Sequence, residues 1–236
     1  MNYNTGINWD LFFTQVDLIH DDKPVYIKNF LPNPKNFITW EDVSIILNNS
    51  SLKWRIIKKG LETQVPVYTS FTGDILQNKE FIQEHINSGS TFIIEKFITY
   101  NEFVKSLLNE IENYFSVAAG AHIFGSKNNS KTISYSPHVD NDPLFIFNIE
   151  GITKWSLFSN MSSSLLTRNE INWNIESNKL TPHSDYTLSP GDFLYIPKRF
   201  YHTASPFTQD PYRLSLNVST FLDQVSSRID KTYYQI

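Results

Sequence analysis

Two histidines and one aspartate have the residue types and the spacing of a metal site. His138 and Asp140 are separated by one residue, and on a β-strand residues i and i+2 point to the same face. His202 follows the segment 189–197, which predicts a Pro-Gly turn and then a strand that ends at a proline. Two imidazoles and one carboxylate form the facial triad of non-haem iron(II) oxygenases. Such a triad leaves positions on the metal open to a bidentate cosubstrate and dioxygen.

The remaining histidines do not share this pattern. His20, His85 and His183 lie in polar or loop-like segments, and we expect them to be solvated or hydrogen-bonded. His122 lies on a predicted strand, where a hydrogen-bonded core histidine is the simpler interpretation. Because the chain has no cysteine, disulfides and thiolate metal sites are excluded, and any metal must use His, Asp or Glu.

The composition is typical of one globular domain. The chain has 236 residues and includes 18 Phe, 12 Tyr and 5 Trp, enough bulky apolar material for a sizeable core. A net charge of −4 without a basic stripe argues against a nucleic-acid partner. Neither a secretory signal nor a bilayer-spanning apolar stretch is predicted. The sequence therefore predicts a cytoplasmic protein without a membrane partner.

The elements that must position the metal ligands are predicted to be short strands. Beyond residue 120, β-prone runs alternate with Pro, Gly, Asn and Ser turns, without intervening helices. This texture predicts a mainly β barrel or double-sheet jelly roll, the architecture that includes cupins. The predicted strands are Lys131–Tyr135, Leu144–Ile149, Lys154–Phe158, Tyr186–Leu188, Phe193–Ile196 and Arg213–Phe221.

The first half of the chain is predicted to mix helices and strands. A strand is predicted around 23–30, a helix after Thr39, and a helix over 101–115 that buries Phe103, Leu107, Ile111 and Tyr114. Further strands are predicted at 54–57, 65–68 and 91–94, with a short helix within 76–87. We predict a single domain, 1–236, made of an N-terminal elaboration (1–118), a β-helix core (119–222) and a C-terminal tail (223–236).

Residues 131–221 resemble the JmjC-type cupin hydroxylases, in particular the asparaginyl hydroxylase of the hypoxia pathway and bacterial ribosomal-protein hydroxylases. The His138-x-Asp140 pair matches the first two ligands of the family. The segment 151–158, Gly-Ile-Thr-Lys-Trp-Ser-Leu-Phe, is similar to the family's Gly-x-Lys-x-Trp-x-Leu-Phe. Residues 190–197, followed by His202, resemble the strand and turn that deliver the family's last metal ligand. The resemblance implies a double-stranded β-helix, Fe(II), 2-oxoglutarate as cosubstrate, dioxygen and side-chain hydroxylation.

The sequence departs from the family where the far carboxylate of 2-oxoglutarate is usually anchored. The family's basic residue is replaced by Thr153, and Lys154 follows one place later. A one-residue shift reverses the facing on a strand, so Lys154 is expected to point outward when Thr153 points inward. We therefore predict that Arg213, eleven residues after His202, is the anchor, because an arginine grips a carboxylate in a bidentate manner. Thr153 could add a hydroxyl.

Two further residues are candidates for contact with the cosubstrate. Asn217 lies on the same predicted strand face as Arg213 and resembles an asparagine near the cosubstrate of the hypoxia-pathway enzyme. Tyr135 lies three residues before His138 and could donate a hydroxyl. The implied substrate is a peptide, a protein or an amino-acid derivative. Two alternatives remain open: a cupin metalloenzyme that does not use 2-oxoglutarate, and a non-catalytic cupin that binds a ligand or partner.

Overall fold

The structure is a computed structural model that describes residues 4–16, 23–49, 52–71, 73–95, 97, 101–127, 134–161, 169–170, 177–206 and 211–220. Within these residues the α-helices are α1 (Trp9–Phe13), α2 (Trp40–Asn49), α3 (Lys79–Asn87) and α4 (Glu102–Phe115). The first strands are β1 (Val25–Ile27), β2 (Trp54–Lys58), β3 (Leu61–Thr63), β4 (Val67–Thr69), β5 (Ile75–Gln77), β6 (Thr91–Ile94) and β7 (Ala119–Lys127). The later strands are β8 (His138–Val139), β9 (Leu144–Glu150), β10 (Thr153–Met161), β11 (Asn169–Glu170), β12 (Pro182–Leu188), β13 (Phe193–Ile196), β14 (Phe200–Pro206) and β15 (Tyr212–Thr220). Two short 3-10 helices are Pro34–Asn36 and Ser177–Lys179.

Two antiparallel sheets face each other and confirm the predicted jelly roll. The larger sheet has eight strands in the order β1-β13-β9-β15-β7-β6-β2-β3, and the smaller has five in the order β11-β8-β14-β10-β12. Residues alternate between the two faces of each strand. On β15, Leu214, Leu216 and Val218 face the apolar core, whereas Arg213 and Asn217 face the other sheet. The space between the sheets is therefore lined in part by polar side chains.

Strands from the first half of the chain continue the larger sheet. β6 pairs with β7, β2 pairs with β6, and β3 is the edge strand. At the opposite edge, β1 pairs with β13. The elaboration and the β-helix core thus share one continuous hydrogen-bonded sheet.

The helices cover the outer face of this sheet. α2 begins with a reciprocal capping box in which the Asp42 backbone N–H donates to Thr39 Oγ1 and the Thr39 N–H donates to Asp42 Oδ2. α4 is amphipathic as predicted, with Leu107 and Ile111 buried and Phe103 partly buried against the core, and the prediction was wrong for Tyr114. Tyr114 is half exposed and packs on aromatic rings of α1, while Val104 and Leu108 are buried beside the predicted core residues.

Most predicted strands are present with shifted ends. β13 has the predicted bounds, and β9, β10 and β15 lie within a few residues of theirs. β14, which carries His202, was not predicted as a strand. The first part of the predicted strand 131–135 and the whole tail 223–236 lie outside the described residues. No helix in the described part of the chain combines the length and apolar character that a bilayer crossing requires.

Gly125 marks a close approach at the centre of the larger sheet. It pairs with Phe92 on one side and with Leu214 on the other, and a Cβ at this position would collide with the Phe92 ring and lie 2.8 Å from Leu214 Cδ2. We expect Gly125→Ala to lower the free energy of unfolding, measured by urea denaturation, by about 1–3 kcal/mol through overpacking. A second change, Phe92→Leu, should restore part of this loss, and unchanged stability of the single variant would contradict the expectation.

Candidate metal centre

His138, Asp140 and His202 converge between the two sheets. β8 and β14 are neighbours in the smaller sheet, and His138 and His202 are paired directly across them. His202 Nε2 lies 3.4 Å and His138 Nε2 lies 3.8 Å from Asp140 Oδ2. One ligand atom from each residue falls within 4.8 Å of the others. The three side chains are therefore close enough to hold one ion.

Both imidazoles are oriented by backbone carbonyl groups. His138 Nδ1 lies 2.9 Å from the carbonyl oxygen of Ser136, and His202 Nδ1 lies 2.9 Å from that of Phe200. Because a carbonyl only accepts hydrogen bonds, each Nδ1 must carry the proton and donate it. This tautomer leaves Nε2 of each ring, which lies on the side of Asp140, as the atom that can bind a metal. This arrangement is typical of metal-binding histidines, whose second nitrogen usually donates to a fixed acceptor.

The three residues lie on the wall of a cavity of about 270 Å³. Ile93, Phe124, Val139, Leu144 and Trp155 contribute apolar surface to it. The exposed fractions of the His138 and His202 side chains are 7% and 2%, whereas that of Asp140 is 31%. The carboxylate therefore faces the open part of the cavity, and the two imidazoles are shielded from solvent.

Arg213 places a buried positive charge on the same wall. Its side chain donates to Ser126 Oγ at 2.9 Å and to Thr91 Oγ1 at 3.0 Å, both neutral hydroxyl groups. Within the described residues, no carboxylate forms an ion pair with it. Burial lowers the pKa of Arg213 to about 10, so the guanidinium is still charged at neutral pH. A buried charge without a counter-ion is costly, and a bound anion would offset that cost.

A second guanidinium, that of Arg55, also reaches the cavity, but acidic groups balance it. Arg55 contacts Glu62, Glu95 and the Tyr135 hydroxyl, and that hydroxyl also donates to Glu62 at 3.0 Å. Burial opposes the charged form of Arg55, but Glu62, Tyr135 and Glu95 outweigh it and raise its pKa. The Tyr135 ring packs against His138, with 5.2 Å between ring centroids.

The structure separates the predicted cosubstrate residues into two groups. Arg213, Asn217 and Tyr135 line the cavity with the metal ligands. Thr153 is buried as expected, but its hydroxyl donates to Asn148 Oδ1 at 3.1 Å, and it does not lie on the cavity wall. Lys154 faces away from the cavity, as the strand register predicts, and pairs with Asp185 at 2.8 Å. The structure thus brings neither Thr153 nor Lys154 to the metal ligands.

Three polar atoms on the cavity wall are buried and lack a hydrogen-bond partner within the described residues. They are Oδ1 of Asn217, Oδ1 of Asn141 and Nε1 of Trp155. Buried polar groups are rarely left without a partner unless a water or ligand supplies one. Together with Arg213, they indicate that the cavity fits a polar, anionic molecule beside the metal ligands.

A sequence model of the JmjC domain matches residues 93–227, more than half of the chain. The chain belongs to the JmjC domain family. The match covers the metal triad and Arg213, and it also includes the last two residues of β6 and the whole of α4, which lie in the predicted elaboration.

Curated relatives extend the similarity over most of the chain. The bifunctional lysine-specific demethylase and histidyl-hydroxylase NO66 of Dictyostelium discoideum is 25% identical over 215 residues, which are 88% of this chain and 40% of that protein. Ribosomal oxygenase 2 of Mus musculus is 28% identical over 122 residues, covering 52% of this chain and 25% of that protein. This chain therefore spans less than half the length of these relatives.

Solved structures show the same fold. Ribosomal oxygenase YcfD from Escherichia coli is 16% identical, with a TM-score of 0.62, and the match covers 98% of this chain and 57% of that one. The same enzyme in complex with cobalt and 2-oxoglutarate gives a TM-score of 0.63, with coverage of 98% and 57%. At this identity the likeness supports the fold alone, and it includes the N-terminal strands as well as the β-helix core.

Sequence reasoning missed several residues of the cavity. Arg55 alternates with Trp54 and Ile56 on a predicted strand, a pattern that by itself indicates a solvent-facing side, and only the structure shows that this side lines the cavity. His122 was expected to be a core histidine, but it lies on the cavity wall and pairs across the strands with Asn217. Asn141, next to the ligand Asp140, carried no sequence signal of its own.

Proposed function

We propose that this chain is an Fe(II)- and 2-oxoglutarate-dependent dioxygenase that hydroxylates a side chain of a protein or peptide. One observation carries the proposal: the triad shares a cavity with the buried guanidinium of Arg213, which forms no ion pair with any carboxylate of the described residues. With neutral imidazoles, a ferrous ion on the triad keeps one excess positive charge after Asp140 is counted, and Arg213 adds a second. A dicarboxylate dianion would neutralise both ends of the cavity.

Each residue then has a defined role. His138, Asp140 and His202 would hold the metal, and Arg213 would bind the far carboxylate through its remaining N–H donors, a role that suits arginine better than lysine. When bound, ferrous iron and 2-oxoglutarate use dioxygen to insert one oxygen atom into a C–H bond and yield succinate and carbon dioxide. Trp155, Leu144 and other apolar wall residues exclude water from this chemistry. The unpartnered amide oxygens of Asn141 and Asn217 are available to orient bound molecules.

The proposed substrate class rests on the relatives. Their names describe hydroxylation of histidyl side chains and oxygenation of ribosomal components, and we extend only the general class, a protein side chain, to this chain. The half-exposed Asp140 lies toward the open part of the cavity, where a substrate side chain could approach the metal. A cytoplasmic location stays a prediction from the sequence.

An anaerobic titration tests the metal and the cosubstrate before any substrate is known. Fe(II) added to the protein with 2-oxoglutarate should produce a weak visible charge-transfer band that saturates at one iron per chain. The band should require both components, because the cosubstrate must chelate the metal through its 2-oxo and carboxylate groups. Once air is admitted, slow turnover without a substrate should form succinate. The amount of succinate then becomes the measured quantity in place of the band.

Two results would contradict the proposal in different ways. If iron binds but 2-oxoglutarate produces no band and no succinate, the chain is a cupin metalloenzyme of another class. If no metal binds under any loading condition, the chain is a non-catalytic cupin. As a control, succinate added in place of 2-oxoglutarate should bind at the same site without producing the charge-transfer band.

A further inference from the structure

The strand that carries His138 is short and is weakly held by its own sheet. β8 has two residues, and its pairing with β14 consists of the single register pair His138–His202. On its other side it pairs with β11, which also has two residues. A metal site needs ligands fixed within about 0.5 Å of the working geometry. Contacts from outside the smaller sheet must therefore help to position His138.

The β2–β3 hairpin supplies such contacts directly. Its turn consists of Lys59 and Gly60, which both have positive φ angles (55° and 83°), the signature of a type I′ turn. The carbonyl oxygen of Gly60 accepts the backbone N–H of Ser136 at 3.0 Å. The carbonyl oxygen of Ser136 in turn accepts Nδ1–H of His138 at 2.9 Å. Ser136 thus links the hairpin turn to the carbonyl group that orients His138.

The same hairpin holds the residue before Ser136. The Tyr135 hydroxyl is fixed between Arg55 on β2 and Glu62 on β3, and its ring packs against His138. The Tyr135 backbone carbonyl accepts the hydroxyl of Thr203, which belongs to β14. The segment 135–136 is therefore gripped on one side by the hairpin and on the other by the strand of the third ligand.

Gly60 approaches Ser136 more closely than any other residue type could. A Cβ at Gly60 would collide with Ser136 Oγ, and it would lie 3.2 Å from the Ser136 backbone nitrogen and 3.5 Å from its Cβ. The backbone nitrogen cannot move without carrying the adjoining peptide groups, including the carbonyl that accepts from His138. Ser136 Oγ can rotate away from a Cβ at Gly60, but the contact with the backbone nitrogen would remain and would displace the residue whose carbonyl orients the His138 ring.

We propose that the β2–β3 hairpin is a clamp that orients His138 through Ser136 and Tyr135, with Gly60 as its essential positioning residue. The inference rests on the proposed metal centre, and it assigns a role in metal binding to a hairpin outside the smaller sheet. The partners of metal-ligating histidines typically change metal affinity by about 10- to 100-fold when altered. The clamp should therefore act on metal affinity beyond any effect on folding.

The test compares two glycines with similar positive φ angles. Gly60→Ala and Gly73→Ala both place a side chain at positive φ (83° and 88°), but a Cβ at Gly73 meets nothing within 4 Å. Co²⁺ alone, followed by its visible absorption, is the probe, and the melting temperature of each metal-free variant is measured alongside. We expect the Kd for Co²⁺ to rise about 10-fold in Gly60→Ala and to stay unchanged in Gly73→Ala.

Two more variants separate positioning from general damage. Tyr135→Phe keeps the ring and the charge of the site but removes the hydroxyl held by the hairpin, and it should also raise the Kd for Co²⁺. Ser136→Gly removes Oγ and Cβ, two of the three atoms that the new Cβ meets, and keeps the backbone nitrogen. Adding it to Gly60→Ala should therefore restore part of the Co²⁺ affinity, measured against Ser136→Gly alone. Equal Co²⁺ affinity in Gly60→Ala and wild type would overturn the clamp, whereas a wild type without Co²⁺ binding would overturn the metal centre itself.

Discussion

Replacing His202 with alanine is expected to abolish metal binding and, with it, all turnover of 2-oxoglutarate. The exposed fraction of the His202 side chain is only 2%, and its ring packs between His138 and Trp155. Its loss leaves one imidazole and one carboxylate, too few to hold a ferrous ion against water. The drop in metal affinity should exceed the roughly 100-fold that follows from losing an outer partner of a ligand. His138→Ala and Asp140→Ala should behave in the same way.

His183→Ala is the matched control for this experiment. His183 is exposed on β12, and its Nδ1 contacts the hydroxyl of Ser184 at 2.8 Å. Metal content after anaerobic loading, the charge-transfer band and succinate formation should all equal those of the wild type. If His202→Ala instead retained one iron per chain and the band, the metal would have to lie elsewhere.

Replacing Arg213 with methionine should separate cosubstrate binding from metal binding. Removing one partner of a buried charged pair costs about 2–5 kcal/mol, so the concentration of 2-oxoglutarate needed for half-maximal turnover should rise at least about 30-fold. Iron affinity should change little, because Arg213 is not a ligand. Metal-free Arg213→Met should be at least as stable as wild type, since a buried charge whose partners among the described residues are neutral hydroxyl groups is replaced by an apolar chain of similar size.

Lys154→Met makes the same chemical change at the competing cation. Lys154 lies on the outer side of β10 and forms a partly exposed pair with Asp185, which is worth at most about 1 kcal/mol. The concentration of 2-oxoglutarate that Lys154→Met needs for half-maximal turnover should equal that of the wild type. A raised requirement in Lys154→Met, with none in Arg213→Met, would reverse the assignment of the anchor.

Local sequence rules were sufficient for the features that depend on strand periodicity. Successive residues of a strand point to opposite faces of the sheet, which predicted that Arg213 and Asn217 share one face of β15 and that Lys154 points away from Thr153. The structure has both arrangements. The JmjC family and the jelly roll were also predicted and are confirmed. The roles of the metal and cosubstrate residues stay predictions until the experiments above are done.

Features set by distant contacts were not predictable from local patterns. Tyr114 of α4 packs on rings of α1, almost a hundred residues earlier, and stays half exposed, so its surroundings depend on a contact that helical periodicity does not show. β14 was not predicted as a strand, and its position is set by its pairing with β10 and β8, which lie far from it in the sequence. The contact of Gly60 with Ser136 joins segments that no short-range rule relates.

The position of β15 has a consequence for how the chain reaches its folded state. In the larger sheet β15 lies between β9 and β7, so it joins the group β1-β13-β9 to the group β7-β6-β2-β3. During synthesis both groups must wait for this late strand before they can form one sheet, and pairings across such separations slow folding. Until residues 211–220 leave the ribosome, unpaired edges of β7 and β9 are open to wrong partners, a setting in which chaperones act on nascent chains.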